Sequence, residues 1–216
     1  MTTCALVAAS DFNADHFKAL NDAGGFDYIV AVDAGFAYLE KLGVKPDLAI
    51  GDFDSLGYVP KARRVSKHPQ HKDQSDLELA LERVSTRRYS HVHVYGALGG
   101  RLDHTLANLQ LFALYAEQGF DITAIDMDCA LRVLVGPDAF DLPPFKSGTV
   151  SVFSATDVSH GVSERGLEYP LDDADLTNRT SLGLSNELIG QEAAVSVAEG
   201  TLYVFYPLAD SAAVSE

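Results

Sequence analysis

Tryptophan is absent from this 216-residue chain, and cysteine and methionine occur only twice each. Cys4 and Cys129 lie far apart and form no C-x-x-C pair, so neither a disulfide framework nor a thiolate zinc site is expected, and a reducing compartment fits. Basic residues are scarce: 16 Lys and Arg stand against 31 Asp and Glu, a formal net charge of -15. Such a surface repels DNA, RNA and anionic lipid, which argues against nucleic-acid and membrane partners. The apolar run Cys4 to Ala9 has no Lys or Arg before it and is too short for a secretion signal, and nothing approaches membrane-spanning length. The expected location is the cytoplasm. A Walker A loop, G-x-x-x-x-G-K-[ST], and a G-x-S-x-G nucleophile elbow are also missing, which removes the P-loop fold and the serine hydrolases from consideration.

What is present is an ordinary globular composition, 47% hydrophobic and 22% charged, without a low-complexity tract or an internal repeat. The first half alternates strand-like and helix-like segments. Cys4–Ala9, Tyr28–Val32, Leu48–Ile50, His91–Tyr95 and Ile122–Ile125 read as strands. Between them, residues 14–20 and 34–42 read as helices stopped by Gly24-Gly25 and Gly43. Ser75-Asp-Leu-Glu78 has the S-x-x-E spacing of a capping box and precedes Leu77, Leu81 and Val84 at helical intervals. A further helix carries Leu102, Leu106, Leu109 and Ala113 on one face and ends at Gly119. Alternation of this kind predicts a Rossmann-like parallel sheet with covering helices over residues 1–130. From residue 131 to 216 the segments are short and β-rich, among them Leu131–Val135, Thr149–Phe153, Ala193–Val197 and Leu202–Tyr206. These predict a smaller all-β sandwich domain.

In a doubly wound sheet, the residues that follow strands meet at one edge, where ligands bind. Acids recur at such positions: Asp33, Asp52 and Asp54, Asp73 and Asp76, and Asp103. Gathered carboxylates repel one another unless a cation neutralises them, and hard oxygen ligands suit Mg2+. Mg2+ takes only one or two carboxylates besides water and phosphate, so Asp52, Asp54 and Asp76 are the candidate metal ligands. Taken singly, each acid is also explained as a turn residue or helix cap, Asp76 most of all because it opens the helix after Ser75.

The segment Gly96-Ala-Leu-Gly99-Gly100-Arg101 is a glycine-rich strand-to-helix loop whose amides could approach phosphate, with Arg101 as a bidentate partner. Among Lys61, Arg63, Arg64, Lys67 and Lys72, only Lys72, which adjoins Asp73, is set apart from a solvated loop. Asp172-Asp-Ala-Asp175 reads as a surface turn.

Five blocks in order, Val32-Asp-Ala-Gly35, Pro46 to Ser55, Lys72 to Glu78, Gly99 to His104 and Ser181 to Asn186, resemble the bacterial thiamine pyrophosphokinases across nearly the whole chain. The resemblance implies an N-terminal α/β domain, a C-terminal β-sandwich and a homodimer with active sites at the subunit interface. It implies transfer of the pyrophosphoryl group of ATP to the hydroxyl of thiamine, giving thiamine diphosphate and AMP. Asp52, Asp54 and Asp76 would hold Mg2+, with Asp73 and Arg101 in the same catalytic site. Asp33, Gly35, Ser55, Lys72, Gly99, Gly100, Arg101, Asp103 and His104 would serve the nucleotide, and Ser181, Ser185 and Asn186 the thiamine. Two departures stand out: Ala34 where the family commonly has a second glycine, and the lack of tryptophan, which leaves thiamine's rings to stack on Tyr, Phe or aliphatic groups. The rival readings are a pyrophosphokinase for another alcohol, such as a hydroxymethyl pterin, and a nucleotide- or thiamine-binding sensor without catalysis.

Overall fold

Strands with apolar side chains at successive positions must be covered on both faces, and three of the first strands are buried along nearly their whole length. They belong to a computed structural model that describes residues 2–86 and 89–208. The chain divides into two compact units, Met1–Leu111 with Ile122–Met127, and Phe112–Asp121 with Asp128–Glu216. From its N-terminus it runs β1 (Thr3–Val7), α1 (Ala14–Asp22), β2 (Tyr28–Val32), a 3-10 turn (Asp33–Gly35), α2 (Phe36–Lys41), β3 (Leu48–Gly51), β4 (Val65–Lys67), α3 (Asp76–Ser85), β5 (His91–Tyr95), α4 (Leu102–Glu117) and β6 (Asp121–Ile125).

The sheet of the first unit has the order β6-β5-β1-β2-β3-β4. β1 runs parallel to β2 and β5, and β3 runs parallel to β2 and β4, so the expected parallel sheet is present. Local signals set the helix starts. Asn13 Oδ1 accepts the His16 N–H at 3.0 Å at the head of α1, and Ser75 Oγ accepts the Glu78 N–H at 3.1 Å at the head of α3. The buried face of α3, Leu77, Ala80, Leu81 and Val84, packs on β2 and β3. Only half of the capping box forms, because the Glu78 carboxylate accepts from Gln74 Nε2 at 3.4 Å.

Leu102 and Leu106 share a face of α4 as expected, and they are 82% and 58% exposed among the described residues. One local expectation is corrected. Asp172 to Asp175 is at the surface but is no turn: it lies in the strand Leu171–Thr177, paired with the strand Val158–Arg165, where Asp173 takes a positive φ of 50° beside shifts in register.

The second unit continues with β7 (Cys129–Val135), β8 (Asp138–Asp141), β9 (Gly148–Ser154), β10 (Val158–Arg165), β11 (Leu171–Thr177), β12 (Asn186–Leu188), β13 (Ala194–Val197) and β14 (Thr201–Pro207). Four of them pair antiparallel in the order β12-β9-β14-β7, and the other four make a separate antiparallel sheet, β11-β10-β13-β8. Val152, Leu202 and Val204 of the first join Val162, Leu176 and Val195 of the second in one buried core. No helix among the described residues is long and apolar enough to cross a membrane.

Candidate active site

The strand order decides where a ligand can enter the first unit. From β1 the chain steps outward through β2, β3 and β4, then returns to β5 on the other side of β1, so the loops after β1 and β5 diverge at a topological switch point. There the backbone pairing runs on past the strands, with Ala8 N–H donating to Tyr95 O and Ser10 N–H to Gly96 O, both at 2.8 Å. A cleft of about 450 Å³ opens at this edge, lined by Ser10, Asp11, Asp33, Asp76, Gly99 and Arg101 among others.

Three acids are brought together on the β2–β3 side. Asp33 follows β2, Asp52 follows β3 and Asp76 opens α3. One carboxylate oxygen from each lies within 4.8 Å of the others, and all three residues are half-buried. The register Val32↔Ile50 sets Asp33 beside Gly51, so closely that a Cβ at Gly51 would stand 3.0 Å from the Asp33 Cα. Asp33 and Phe53 both adopt positive φ, 47° and 63°, at a cost of roughly 1 kcal/mol each. The Phe53 N–H donates to Asp33 Oδ1 at 3.1 Å, and the burial of the Phe53 ring holds this strained loop in place.

Burial pushes the Asp76 carboxyl above the ordinary range; Lys72 opposes that push, while Asp33 and Asp52 reinforce it. The Lys72 ammonium is 3.0 Å from Asp76 Oδ1 and 3.9 Å from Asp52 Oδ2. A donor set of carboxylate oxygens, already holding a cation in this structure, fits Mg2+. Asp54 and Asp73 are exposed and lie outside this group, as does the exposed Ser55; the Asp54 N–H closes a turn onto Asp52 Oδ1 at 3.0 Å.

The glycine loop forms the opposite wall. Gly99 and Gly100 have φ of 76° and 61°, and Cβ atoms there would stand 2.3 Å from Asp11 Oδ2 and 2.8 Å from Ser10 Oγ. Thr105 Oγ1 donates to Gly99 O at 3.1 Å and Asn108 Nδ2 to Ala97 O at 2.7 Å, tying the loop to α4. Arg101 is engaged with a neighbour: its Nε and terminal nitrogen reach the two oxygens of Asp103 at 3.1 and 2.6 Å. That fork holds the Asp103 carboxyl down at about 2. His104 lines the same cleft, and its N–H donates to Asp103 Oδ1 at 3.0 Å. Gly35 is a packing position: a Cβ there would fall 2.0 Å from Val7 O. Ser10 and Asp11 were missed from sequence, although they too follow a strand, the same signal that marked Asp33 and Asp52.

In the second unit, Ser181 and Ser185 are exposed, whereas Asn186 is 5% exposed and fully engaged. Asn186 Nδ2 donates to Glu164 Oε2 at 2.6 Å and to Tyr169 O at 2.8 Å; its Oδ1 accepts the N–H groups of Tyr169 at 3.0 Å and Glu187 at 2.9 Å. Glu164 is completely buried, and burial pushes its carboxyl up against the opposing hydrogen bond from Asn186. Asn186 thus clamps the backbone of Tyr169, whose side chain is 64% exposed. Neither Glu164 nor Tyr169 carried a sequence signal.

Residues 23–124 match the thiamin pyrophosphokinase catalytic domain, and residues 140–202 the vitamin B1 binding domain of thiamin pyrophosphokinase. The thiamine pyrophosphokinase of Bacillus subtilis (strain 168) is 30% identical over 181 residues, 80% of this chain and 84% of that protein. A crystal structure of the Bacillus subtilis enzyme superposes with a TM-score of 0.80 at 26% identity, covering 95% of this chain and 99% of the other. The Geobacillus thermodenitrificans thiamin pyrophosphokinase gives 0.79 at 27% identity, covering 97% and 99%. Yeast thiamin pyrophosphokinase, 12% identical, shares the fold with a TM-score of 0.77 over 95% of this chain and 86% of its own.

Proposed function

The chain belongs to the thiamine pyrophosphokinase family, and we propose that its transfer reaction is run from the acid-lined cleft at the switch point of the first unit. The reaction moves the pyrophosphoryl group of ATP to the hydroxyl of thiamine, giving thiamine diphosphate and AMP. The oxygen of that hydroxyl bonds to the β-phosphorus, the bond from this phosphorus to the oxygen it shares with the α-phosphorus breaks, and the hydroxyl proton leaves. The observation that carries this assignment of the site is the gathering of Asp33, Asp52 and Asp76 within 4.8 Å of one another, with the Lys72 ammonium beside Asp52 and Asp76.

Asp52 and Asp76, with Asp33 beside them, are the residues that would hold Mg2+, and Asp54 stands two residues on in the same loop. A bound Mg2+ supplies neutralisation of the β- and γ-phosphate charge. The chain itself supplies the rest. Gly99 and Gly100 admit phosphate close to the backbone, and Arg101 exchanges the carboxylate of Asp103 for a phosphate of the same geometry. Asp54 and Asp73, both exposed, are the carboxylates open to taking the hydroxyl proton. Positioning and electrostatics carry most of a phosphoryl transfer, so the rigid, strained Asp33–Phe53 loop suits the task.

For thiamine, a net charge of -15 favours approach of a cation. Ser181 and Ser185 offer exposed hydroxyls, and Tyr169 supplies the aromatic face that tryptophan would otherwise provide. Asn186 serves this surface by clamping Tyr169. The exposed Leu102, Leu106 and Leu114 of α4 support pairing of two copies, with active sites at the subunit interface. The cytoplasm, where ATP is at hand, is the place for this reaction. Incubation with ATP, Mg2+ and thiamine, followed by separation of the products, tests the reading. AMP with thiamine diphosphate is expected; ADP with thiamine monophosphate, or no turnover, would overturn it.

A further inference from the structure

Lys72 lies deeper in the acidic cluster than an ordinary surface lysine. Its side chain is only 15% exposed, its ammonium is shared between Asp76 and Asp52, and it donates to the Pro69 carbonyl at 3.2 Å. It stands four residues before Asp76 and three before the N-cap Ser75, on chain that precedes α3, so the side chain is not fixed by the helix. Ser75, Asp76 and Leu77, the start of α3, line the cleft where phosphate would lie. The other cation nearby in sequence to the glycine loop, Arg101, is engaged with Asp103. Lys72 therefore sets one positive charge against two of the three gathered carboxylates.

An ammonium and a divalent ion set among the same carboxylates repel each other strongly at such range, so each weakens the hold on the other. We propose that Lys72 is a resident counter-ion that excludes free metal from the Asp33–Asp52–Asp76 cluster and yields its place when nucleotide phosphate draws the ammonium away. This rests on the Mg-ATP reading above and adds a coupling to it. Metal binds weakly to the protein alone and tightly with nucleotide, and a single side chain links the two events. By linkage the metal must strengthen nucleotide binding by the same factor. A long, unbranched, strongly hydrated side chain is suited to such an exchange, where a planar, forked arginine would be less easily released.

The test is Mn2+ binding followed by electron paramagnetic resonance, with and without α,β-methylene-ATP, whose bridging carbon blocks the bond that the reaction breaks. Mn2+ held by the free analogue is subtracted in protein-free controls. In the wild type the analogue is expected to tighten Mn2+ binding on the order of tenfold. Lys72→Met is expected to tighten Mn2+ binding without the analogue by a similar factor and to remove most of the coupling; Lys72→Arg keeps the charge and leaves metal binding weak. Lys67→Met, which takes one positive charge from β4, controls for a general charge effect and should match the wild type. Unchanged or weaker Mn2+ binding in Lys72→Met, or an equal gain in Lys67→Met, would overturn the proposal. Failure of every variant to bind Mn2+ even with the analogue would sink the metal reading itself.

Discussion

At the sheet edge of the first unit, Asp33, Asp52 and Asp76 crowd three carboxylates together, two of them beside one ammonium. In the second unit, Asn186 uses both ends of its amide in four hydrogen bonds and has nothing left to offer a ligand. The first region is short of positive charge and held in place by strained backbone at Asp33 and Phe53; in the second the Asn186 amide is satisfied and buried, and Oε1 of its partner Glu164 is left without a hydrogen bond. Unsatisfied charge marks chemistry, and a saturated polar side chain marks scaffolding. Asn186, placed by resemblance among the thiamine-binding residues, is accordingly proposed to serve thiamine through the chain it positions.

The sharpest way to break this contrast is Asp52→Asn. The amide keeps the Oδ1 acceptor that receives the Asp54 N–H, so the loop is retained while one negative charge is lost. Turnover should fall by about 10² to 10³, the scale of losing one electrostatic contact to the transition state. The melting temperature without metal should hold or rise, because like-charge repulsion is relieved. Loss of activity together with loss of fold would make the cluster structural.

Asn186→Ala should do the reverse. It strands the buried Glu164 carboxyl and the Tyr169 backbone groups, so urea denaturation should show a loss of about 3 kcal/mol. The KM for thiamine should rise while the requirement for Mg2+ stays as it was. A variant as stable as the wild type would dissolve the distinction drawn here.

Glu164→Gln should have the smallest effect and the most informative pH dependence. Burial raises the folded-state pKa of Glu164 above its ordinary value of 4.5. Between that value and the raised one, the folded protein holds a proton that the unfolded chain has lost, so the wild type loses stability as pH rises through this window. Glutamine does not titrate. The variant should gain relative to the wild type as pH climbs above about 4.5 and keep the gain at neutrality. A stability difference that is flat with pH would show that Glu164 does not titrate differently on folding.

Much of the first unit was legible because its signals are local. Apolar runs marked β1, β2 and β3, alternation marked β5, and Ser75 with Glu78 marked the head of α3. The acids could be picked out because strands deliver their following residues to one edge. Which acids meet within 4.8 Å was not legible, since that depends on register and on the Asx turn at Asp52, which leaves the Asp54 carboxyl exposed. The engagement of Arg101 by Asp103, two residues away, was also hidden, because an arginine in a glycine loop reads the same whether free or paired. In the second unit the partners are distant in sequence: Glu164 meets Asn186, and Leu131 on β7 pairs with Phe205 on β14. No periodicity announces such contacts. The leucines of α4 show the limit from the other side, for helical spacing told which residues share a face but not what covers it.

We propose that the half-buried acids of the first unit hold the Mg2+ on which pyrophosphoryl transfer depends. Turnover measured against Mg2+ concentration, at saturating ATP and thiamine, for the wild type and Asp76→Asn, tests it most directly. The Mg2+ needed for half-maximal rate should rise by at least about tenfold in the variant, the scale expected when a metal site loses a supporting group. A lowered rate with an unchanged Mg2+ dependence would contradict the account.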